Sequence, residues 1–276
     1  MRYAAAIVLA LAWVAAAGPA FTEGPPPSLF AAHRGGSLLW SENSLLAFRN
    51  AMGLLGADYL EFDVHLSKDG EVVVIHDPTL ERTTTGTGPV RDRTLAELRA
   101  VRLKGPRGEA TDERIPTLGE VAALAAGGKR RMLLEIKLDE RRQRYPAIEE
   151  KVMAVLDRHG MIGATVVMAF ERDTWQRVRA LRPDVAAGAL YSPNTLRTAG
   201  QTPRQVIEEA RQSGLRFVGL HQSLVDEAVV SAARSASILL GVWTVNEEGA
   251  VRRFIELGVG VVITDRPDVA KTLLGR

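Results

Sequence analysis

YLEFDVHLSKDGEVVVIHDPTLERTT, from Tyr59 to Thr84, is the stretch on which the fold of this chain turns. Its opening alternates, with Tyr59, Glu61 and Asp63 on one side and Leu60 and Phe62 on the other. Residues i and i+2 of a strand share a face. Tyr59–Asp63 is therefore expected to be a strand with two carboxylates aimed the same way. EVVVIH, Glu71 to His76, reads as a further short strand ending on a histidine. Upstream lies LFAAHRG, Leu29 to Gly35, which reads as a buried strand, and it runs into HRGGSLLWSENS, His33 to Ser44.

Outward from this stretch, short apolar runs alternate with helical patterns. Ser44 to Leu55 reads as a helix, with Leu45, Phe48, Met52 and Leu55 on one face and Gly56 ending it. Asp77 to about Ile115 is rich in Thr, Gly, Arg and Asp and interrupts the alternation as an insertion. Thr94 with Glu97, and Thr117 with Glu120, have the spacing of capping boxes and predict helix starts. RMLLEI (Arg131–Ile136) is the third strand, and Thr165–Ala169, Ala186–Leu190, Phe217–His221, Leu239–Thr244 and Gly260–Thr264 are the remaining five. Helical patterns lie at Ile148–His159, Arg172–Leu181, after Thr202-Pro203, and at Asp226–Arg234, Asn246–Leu257 and Pro267–Leu274. Eight strands, each followed by a helix, is the pattern of an α/β (β/α)8 TIM barrel with a small insertion after the second strand region. The competing fold, a doubly wound open sheet, lacks support, because no Gly-x-Gly-x-x-Gly follows the first strand.

Composition narrows the chemistry. The 276 residues are 46% hydrophobic and 25% charged, with a formal net charge of +2 and no long basic run. That balance argues against a nucleic-acid partner. There is no cysteine, so thiol catalysis, disulfides, Cys-based zinc sites and a lipid-modified cysteine are excluded.

In such a barrel the active site sits at the C-terminal ends of the strands. His33 and Arg34 fall at the end of the first, Glu61 and Asp63 at the second, His76 at the extra strand, Glu135 with Lys137 at the third and Trp243 at the seventh. Three inward carboxylates repel one another and are costly to desolvate, and a divalent cation resolves that conflict. With oxygen ligands alone, Ca2+ or Mg2+ is favoured over Zn2+. The competing reading pairs the acids with Lys137 or Arg34 as ordinary barrel salt bridges. Imidazoles exchange protons near neutral pH and arginine clamps phosphate in a fork. The set points to metal-assisted chemistry on a phosphate ester.

The chain also resembles the glycerophosphodiester phosphodiesterase family. The matching pieces are H-R-G at His33, E-N at Glu42, E-x-D at Glu61, H-D at His76, R-T-T-x-G at Arg82, E-x-K at Glu135, W-T-V-N at Trp243 and T-D-R-P at Thr264. They run in order through Leu29–Arg276. Ser44 stands where the family often has Thr. The resemblance implies His33 and His76 as general acid and base, and Glu61, Asp63 and Glu135 as ligands of one divalent cation. It implies Arg34 and Lys137 as phosphate holders and Trp243 as a wall beside the glycerol or headgroup. It also implies hydrolysis of a small-molecule glycerophosphodiester to sn-glycerol 3-phosphate and an alcohol, and an insertion over Asp77–Ile115. The nucleophile is left open between water and the glycerol 2-hydroxyl. Two other readings compete: phospholipase C-like or D-like hydrolysis of a lysophospholipid or phospholipid, and a non-catalytic exported binding protein.

Other residues carry blander expectations. His65, two residues after Asp63 and past the expected strand end, is expected either in a loop or as a residue supporting the site from behind. His159 precedes Gly160 at a helix C-terminus, where an imidazolium suits the helix dipole. His221 ends the sixth strand at the active rim. Arg141, Arg142 and Arg144 read as a solvated basic turn, and Asn43 as a helix cap or a site contact.

At the N-terminus, Arg2 precedes the apolar run Ala4–Ala17, followed by GPAFTEGPPPS. This has the layout of a secretory signal peptide cleaved after Ala17 or Ala20, with a retained anchor as the competing reading. The run is short of the ~20 apolar residues of a membrane span. The expected organisation is a signal over 1–20, a proline-rich leader over 21–28 and the barrel over 29–276, exported to a periplasmic or extracellular location with no stable span after cleavage.

Overall fold

The computed structural model describes residues 28–276, so the expected signal segment and all of the leader except Ser28 lie outside the described residues. The strands are β1 (Leu29–Ala32), β2 (Tyr59–Leu66), β3 (Val72–Val74), β4 (Arg131–Ile136), β5 (Thr165–Ala169), β6 (Ala186–Tyr191), β7 (Phe217–His221), β8 (Leu239–Trp243) and β9 (Val261–Thr264). All except β3 run parallel, in the order β1-β2-β4-β5-β6-β7-β8-β9. Pairing of β9 back onto β1, with Ala32 opposite Thr264, closes the barrel. β3 lies antiparallel on the end of β2, with Val64 opposite Val74. The expected (β/α)8 barrel is therefore present, with the extra strand prolonging one wall above the rim.

The helices are α1 (Leu45–Gly53), α2 (Leu95–Ala100), α3 (Leu118–Gly127), α4 (Ile148–Arg158), α5 (Arg172–Leu181), α6 (Pro193–Ala199), α7 (Pro203–Gln212), α8 (Glu227–Ser235), α9 (Glu248–Glu256) and α10 (Pro267–Leu273). Their starts follow local chemistry. Ser44 Oγ accepts the amide of Ala47, so serine caps α1 as threonine would. The capping boxes Thr94/Glu97 and Thr117/Glu120 open α2 and α3. α6 is an extra short helix, opened by the Ser192/Thr195 box with Pro193 in its first turn.

Two strand boundaries differ from expectation by three residues, the others by two or fewer. Leu29–Gly35 was expected to be one strand, but β1 stops at Ala32 and His33–Gly35 makes a 3-10 turn. Arg34 has φ +53°, Gly35 +83° and Gly36 +101°. A Cβ on Gly35 would lie 2.6 Å from Ala47 Cβ, so glycine lets the turn press onto α1. β2 is longer than expected and includes His65, which is fully buried rather than in a loop, because pairing with β3 extends the ladder to Leu66.

Alternation along β2 sorts its side chains. Leu60, Phe62, Val64 and Leu66 join the main core between barrel and helices. Tyr59 joins the barrel interior with Ala31, Leu133, Met168, Leu190, Phe217 and Ile263. Phe217 fills the barrel axis, and Gly241 makes room for it, since a Cβ there would lie 2.4 Å from its ring. The insertion has its own core of Leu80, Val90, Leu98, Leu103 and Ile115 against Val73 and Ile75. It is thereby fixed over the rim beside β2.

Candidate active site

A cavity of about 170 Å³ opens at the C-terminal end of the barrel. His33, Arg34, Glu61, His76, Glu135, Lys137 and Thr244 line it, with Met168, Phe170, Leu190, Trp243 and Ile263 as apolar wall. One side is thus charged and the other is apolar. Phe170 meets Trp243 edge to face at 5.7 Å.

Glu61, Asp63 and Glu135 each offer an oxygen within 4.8 Å of the others, and all three are buried. They arise from strand register: Asp63 of β2 is paired with Glu135 of β4, and Glu61 lies two residues back on the same face. Their counter-charges are unequal. Lys137 Nζ donates to Glu135 at 2.7 Å and stands 3.5 Å from Asp63, while Arg34 Nε is 3.6 Å from Asp63. Burial raises the pKa of Asp63, but His76, Lys137 and Arg34 outweigh it and hold the carboxyl well below the usual range. Burial lowers the pKa of Lys137, and Glu135 and Asp63 more than reverse it. Glu61 is left with the backbone amide of Arg34, which donates to it at 2.9 Å, and His33 Nε2 at 3.9 Å. Burial beside Asp63 pushes its pKa above the ordinary carboxylate range.

The expected salt bridges therefore exist, yet they do not neutralise the cluster. Lys137 and Arg34 face three acids, and neither forms an ion pair with Glu61, whose nearest titrating partner is the His33 ring. Asn43 Nδ2 donates to Asp63 at 3.2 Å, while its Oδ1 is buried without a partner. An all-oxygen cluster with surplus negative charge and an unused carbonyl oxygen beside it fits a hard divalent cation.

Both histidines are oriented by acids, His76 by its neighbour in the H-D motif and His33 by the aspartate of the distant T-D-R-P motif. His33 Nδ1–H donates to Asp265 at 2.6 Å, and His76 Nδ1–H donates to Asp77 at 2.7 Å. An ionised carboxylate only accepts, so in each ring Nε2 is the nitrogen left for chemistry. His76 Nε2 accepts from Lys137 Nζ at 3.2 Å. Burial lowers the pKa of His33, but Glu61 and the Asp265 hydrogen bond outweigh it and raise it overall. Asp265 is itself fixed, accepting from Ser37 Oγ and, at 2.7 Å, from Asn246 Nδ2. The tetrads W-T-V-N and T-D-R-P are thus joined through Asn246 and Asp265.

The structure gathers all the expected site residues at one rim: His33, Arg34, Glu61, His76, Glu135, Lys137 and Trp243 line the cavity, and Asp63 lies directly behind. It adds Asp265, Asp77, Glu42 and Arg82, whose roles single-residue reasoning did not bring out, and places His65 in support of His76 rather than in a loop. Glu42 bridges Arg34 and Arg82, and Arg82 also binds Asp77. The motif pairs E-N, H-D and R-T-T were the available signal for these. His65 Nε2–H donates to the carbonyl of His76 at 3.0 Å, and Tyr145 Oη–H donates to His65 Nδ1 at 2.9 Å. Burial pushes its pKa down to about 4, so a neutral ring holds His76 from behind. His221 packs edge-on against Trp243 at 5.4 Å and does not line the cavity. Arg141 and Arg144 pair with Glu140 and Glu149, and His159 closes α4.

The profile of the glycerophosphoryl diester phosphodiesterase family matches residues 33–269. A glycerophosphodiester phosphodiesterase of Caldanaerobacter subterraneus subsp. tengcongensis is 33% identical over 248 residues, covering 90% of this chain and 98% of that protein. A crystal structure of a putative glycerophosphoryl diester phosphodiesterase from Agrobacterium tumefaciens superposes with TM-score 0.82 at 29% identity, over 91% of this chain and 98% of that one. A phosphodiesterase of Oleispira antarctica, solved in complex with the product sn-glycerol-3-phosphate, superposes with TM-score 0.75 at 27% identity, over 91% and 98% of the two chains.

Proposed function

This chain belongs to the glycerophosphoryl diester phosphodiesterase family, and from that premise we propose that it hydrolyses glycerophosphodiesters to sn-glycerol 3-phosphate and an alcohol by two-histidine catalysis at a divalent cation. The observation that carries the reading is the convergence of two imidazoles, each with Nε2 free of its orienting carboxylate, and an under-neutralised carboxylate cluster on one small cavity.

Glu61, Asp63 and Glu135 would hold the cation, Ca2+ or Mg2+. When bound, it supplies Lewis-acid stabilisation of charge on the phosphoryl oxygens. The other parts are the chain's own. Arg34 and Lys137 sit beside the carboxylates and supply donors to the non-bridging oxygens. One histidine takes the proton of the attacking hydroxyl, from water or the glycerol 2-position, and in the second case the cyclic phosphate that forms is then opened by water. The other protonates the oxygen of the leaving alcohol. Asp265 and Asp77 hold both rings in the Nδ1–H tautomer, which keeps Nε2 available for either role. The apolar wall of Phe170 and Trp243 offers its face to the glycerol carbons and limits water in the cavity.

The test is turnover of glycerophosphocholine with and without EDTA, reading sn-glycerol 3-phosphate. Chelation should abolish product, and Mg2+ or Ca2+ should restore it. Undiminished turnover after exhaustive chelation refutes the metal assignment, and no turnover with any cation refutes the reaction. Export is part of the same proposal, supported by the signal-like pattern of residues 1–20. A mature N-terminus after Ala17 or Ala20, read by mass spectrometry, is the expected result, and an intact Met1 refutes cleavage.

A further inference from the structure

Beside the catalytic cavity lies a second one of about 390 Å³, and Arg34 lines both. Its walls come from two sources. Leu38, Trp40 and Glu42 belong to the segment between β1 and α1, and Arg82, Lys104 and Pro106 to the insertion. The first cavity is small, enough for a glycerol and its phosphate and little more. A diester has a substituent on each side of its phosphorus. With the phosphate at Arg34 and the glycerol against Trp243 and Phe170, the second substituent needs another space, and this cavity is the space that shares the phosphate-holding arginine.

Its charges are unevenly used. The Arg82 fork is engaged by Glu42 and Asp77, and Glu42 takes Arg34 as well, so these groups largely cancel. Lys104 differs. Its Nζ donates to the backbone carbonyl of Glu81 at 2.6 Å, and among the described residues it forms no ion pair. The Glu81 carboxylate is turned to the amide of Gly88, at 2.7 Å. An ammonium has three donors, so Lys104 brings a positive charge outside any ion pair, with donors to spare, to the wall.

We infer that the second cavity receives the alcohol part of the diester, and that Lys104 makes it favour an alcohol bearing a phosphate or carboxylate over a cationic alcohol such as choline. This rests on the reading that the first cavity cleaves a glycerophosphodiester. The insertion then has a role of its own, as the wall that reads the leaving group. Lys104 is a specificity residue and takes no part in the chemistry at His33 and His76.

The experiment compares kcat/KM of the metal-loaded enzyme for glycerophosphoinositol 4-phosphate, whose alcohol is anionic, and glycerophosphocholine. The wild type should favour the anionic substrate by about tenfold or more, the scale of one well-placed charge near a surface. Lys104→Glu should lower that ratio at least about tenfold, mainly through KM of the anionic substrate, with kcat for glycerophosphocholine held. Lys104→Gln should fall between, and Lys104→Arg should keep the preference. The side chain is replaceable without loss of its backbone contacts, in which the amide donates to Thr83, and thermal melting verifies each variant. A wild type with no preference, or a ratio unmoved by Lys104→Glu and Lys104→Gln, overturns the inference and leaves the phosphodiesterase reading standing. No turnover of either substrate by the loaded wild type overturns both.

Discussion

Asp265→Asn removes one charge and leaves the volume almost unchanged, and the hydrogen-bond network dictates how the new amide must sit. The backbone amide of Asp265 donates to Asn246 Oδ1 at 2.9 Å, which fixes Asn246 with its Nδ2 facing Asp265 Oδ2. An asparagine at 265 must therefore present its carbonyl oxygen to Asn246 and its NH2 to His33. A donor facing Nδ1 moves the imidazole proton to Nε2, the wrong nitrogen for a base and the wrong balance for an acid that must recycle. The charge-assisted bond is worth about 1.5–3 kcal/mol, and at 1.36 kcal/mol per tenfold its loss alone slows turnover about 10- to 150-fold. The reversed tautomer adds to this, so the combined loss should be about 10²- to 10⁴-fold, the worth of a general acid or base. It should appear in kcat, with KM little changed, because the phosphate-holding groups are untouched. The assay is steady-state turnover at saturating cation, alongside calorimetric metal titration and a proton NMR reading of the His33 tautomer. Ser37→Ala is the control: it removes one donor to Asp265 and leaves the His33 bond in place, so it should cost little. Turnover of Asp265→Asn within about threefold of wild type would refute the reasoning, since even the weakest charged bond is worth more. So would a loss traced wholly to weaker metal binding.

Glu61→Gln removes the acid with no cationic side chain of its own and should shift the metal concentration for half-maximal activity upward by at least about tenfold, in keeping with loss of a charged ligand; an unshifted metal titration would remove Glu61 from the ligand set. His33→Ala and His76→Ala should each lose about 10²- to 10⁴-fold in turnover while binding metal normally. A leaving group of low pKa should rescue only the variant lacking the acid, which tells the two apart; loss of metal from either variant makes that histidine a ligand instead. His65→Leu leaves the His76 carbonyl and the Tyr145 hydroxyl unpaired in a buried place, so it should destabilise the fold by about 2–5 kcal/mol from two lost partners. It should also lower turnover by freeing His76, and a denaturant midpoint equal to wild type would show that His65 supports nothing.

Much of this protein was legible in the chain because its determinants are local. The two-residue period of Tyr59–Asp63 put Glu61 and Asp63 on one face before any partner was known, and β2 bears that out. Capping boxes at Thr94 and Thr117 marked helix starts because the bonds close within three residues. The alternation of strands and helices fixed the barrel, and the barrel fixed which ends of the strands could meet. The extent of β2 was not legible, since its last residues are held by pairing with β3, and this is why His65 was expected past the strand end. Nor was the orientation of His33. Its partner Asp265 lies 232 residues away and arrives only when β9 pairs with β1. The sharing of Lys137 between Glu135, Asp63 and His76, which leaves Glu61 the least neutralised acid, depends on distances that strand register and closure set together. Side-chain direction is a property of a few consecutive residues, so the sequence alone determined it. The choice of partner belongs to the closed barrel, where energetics depend on separations of a few ångströms that no spacing along the chain encodes.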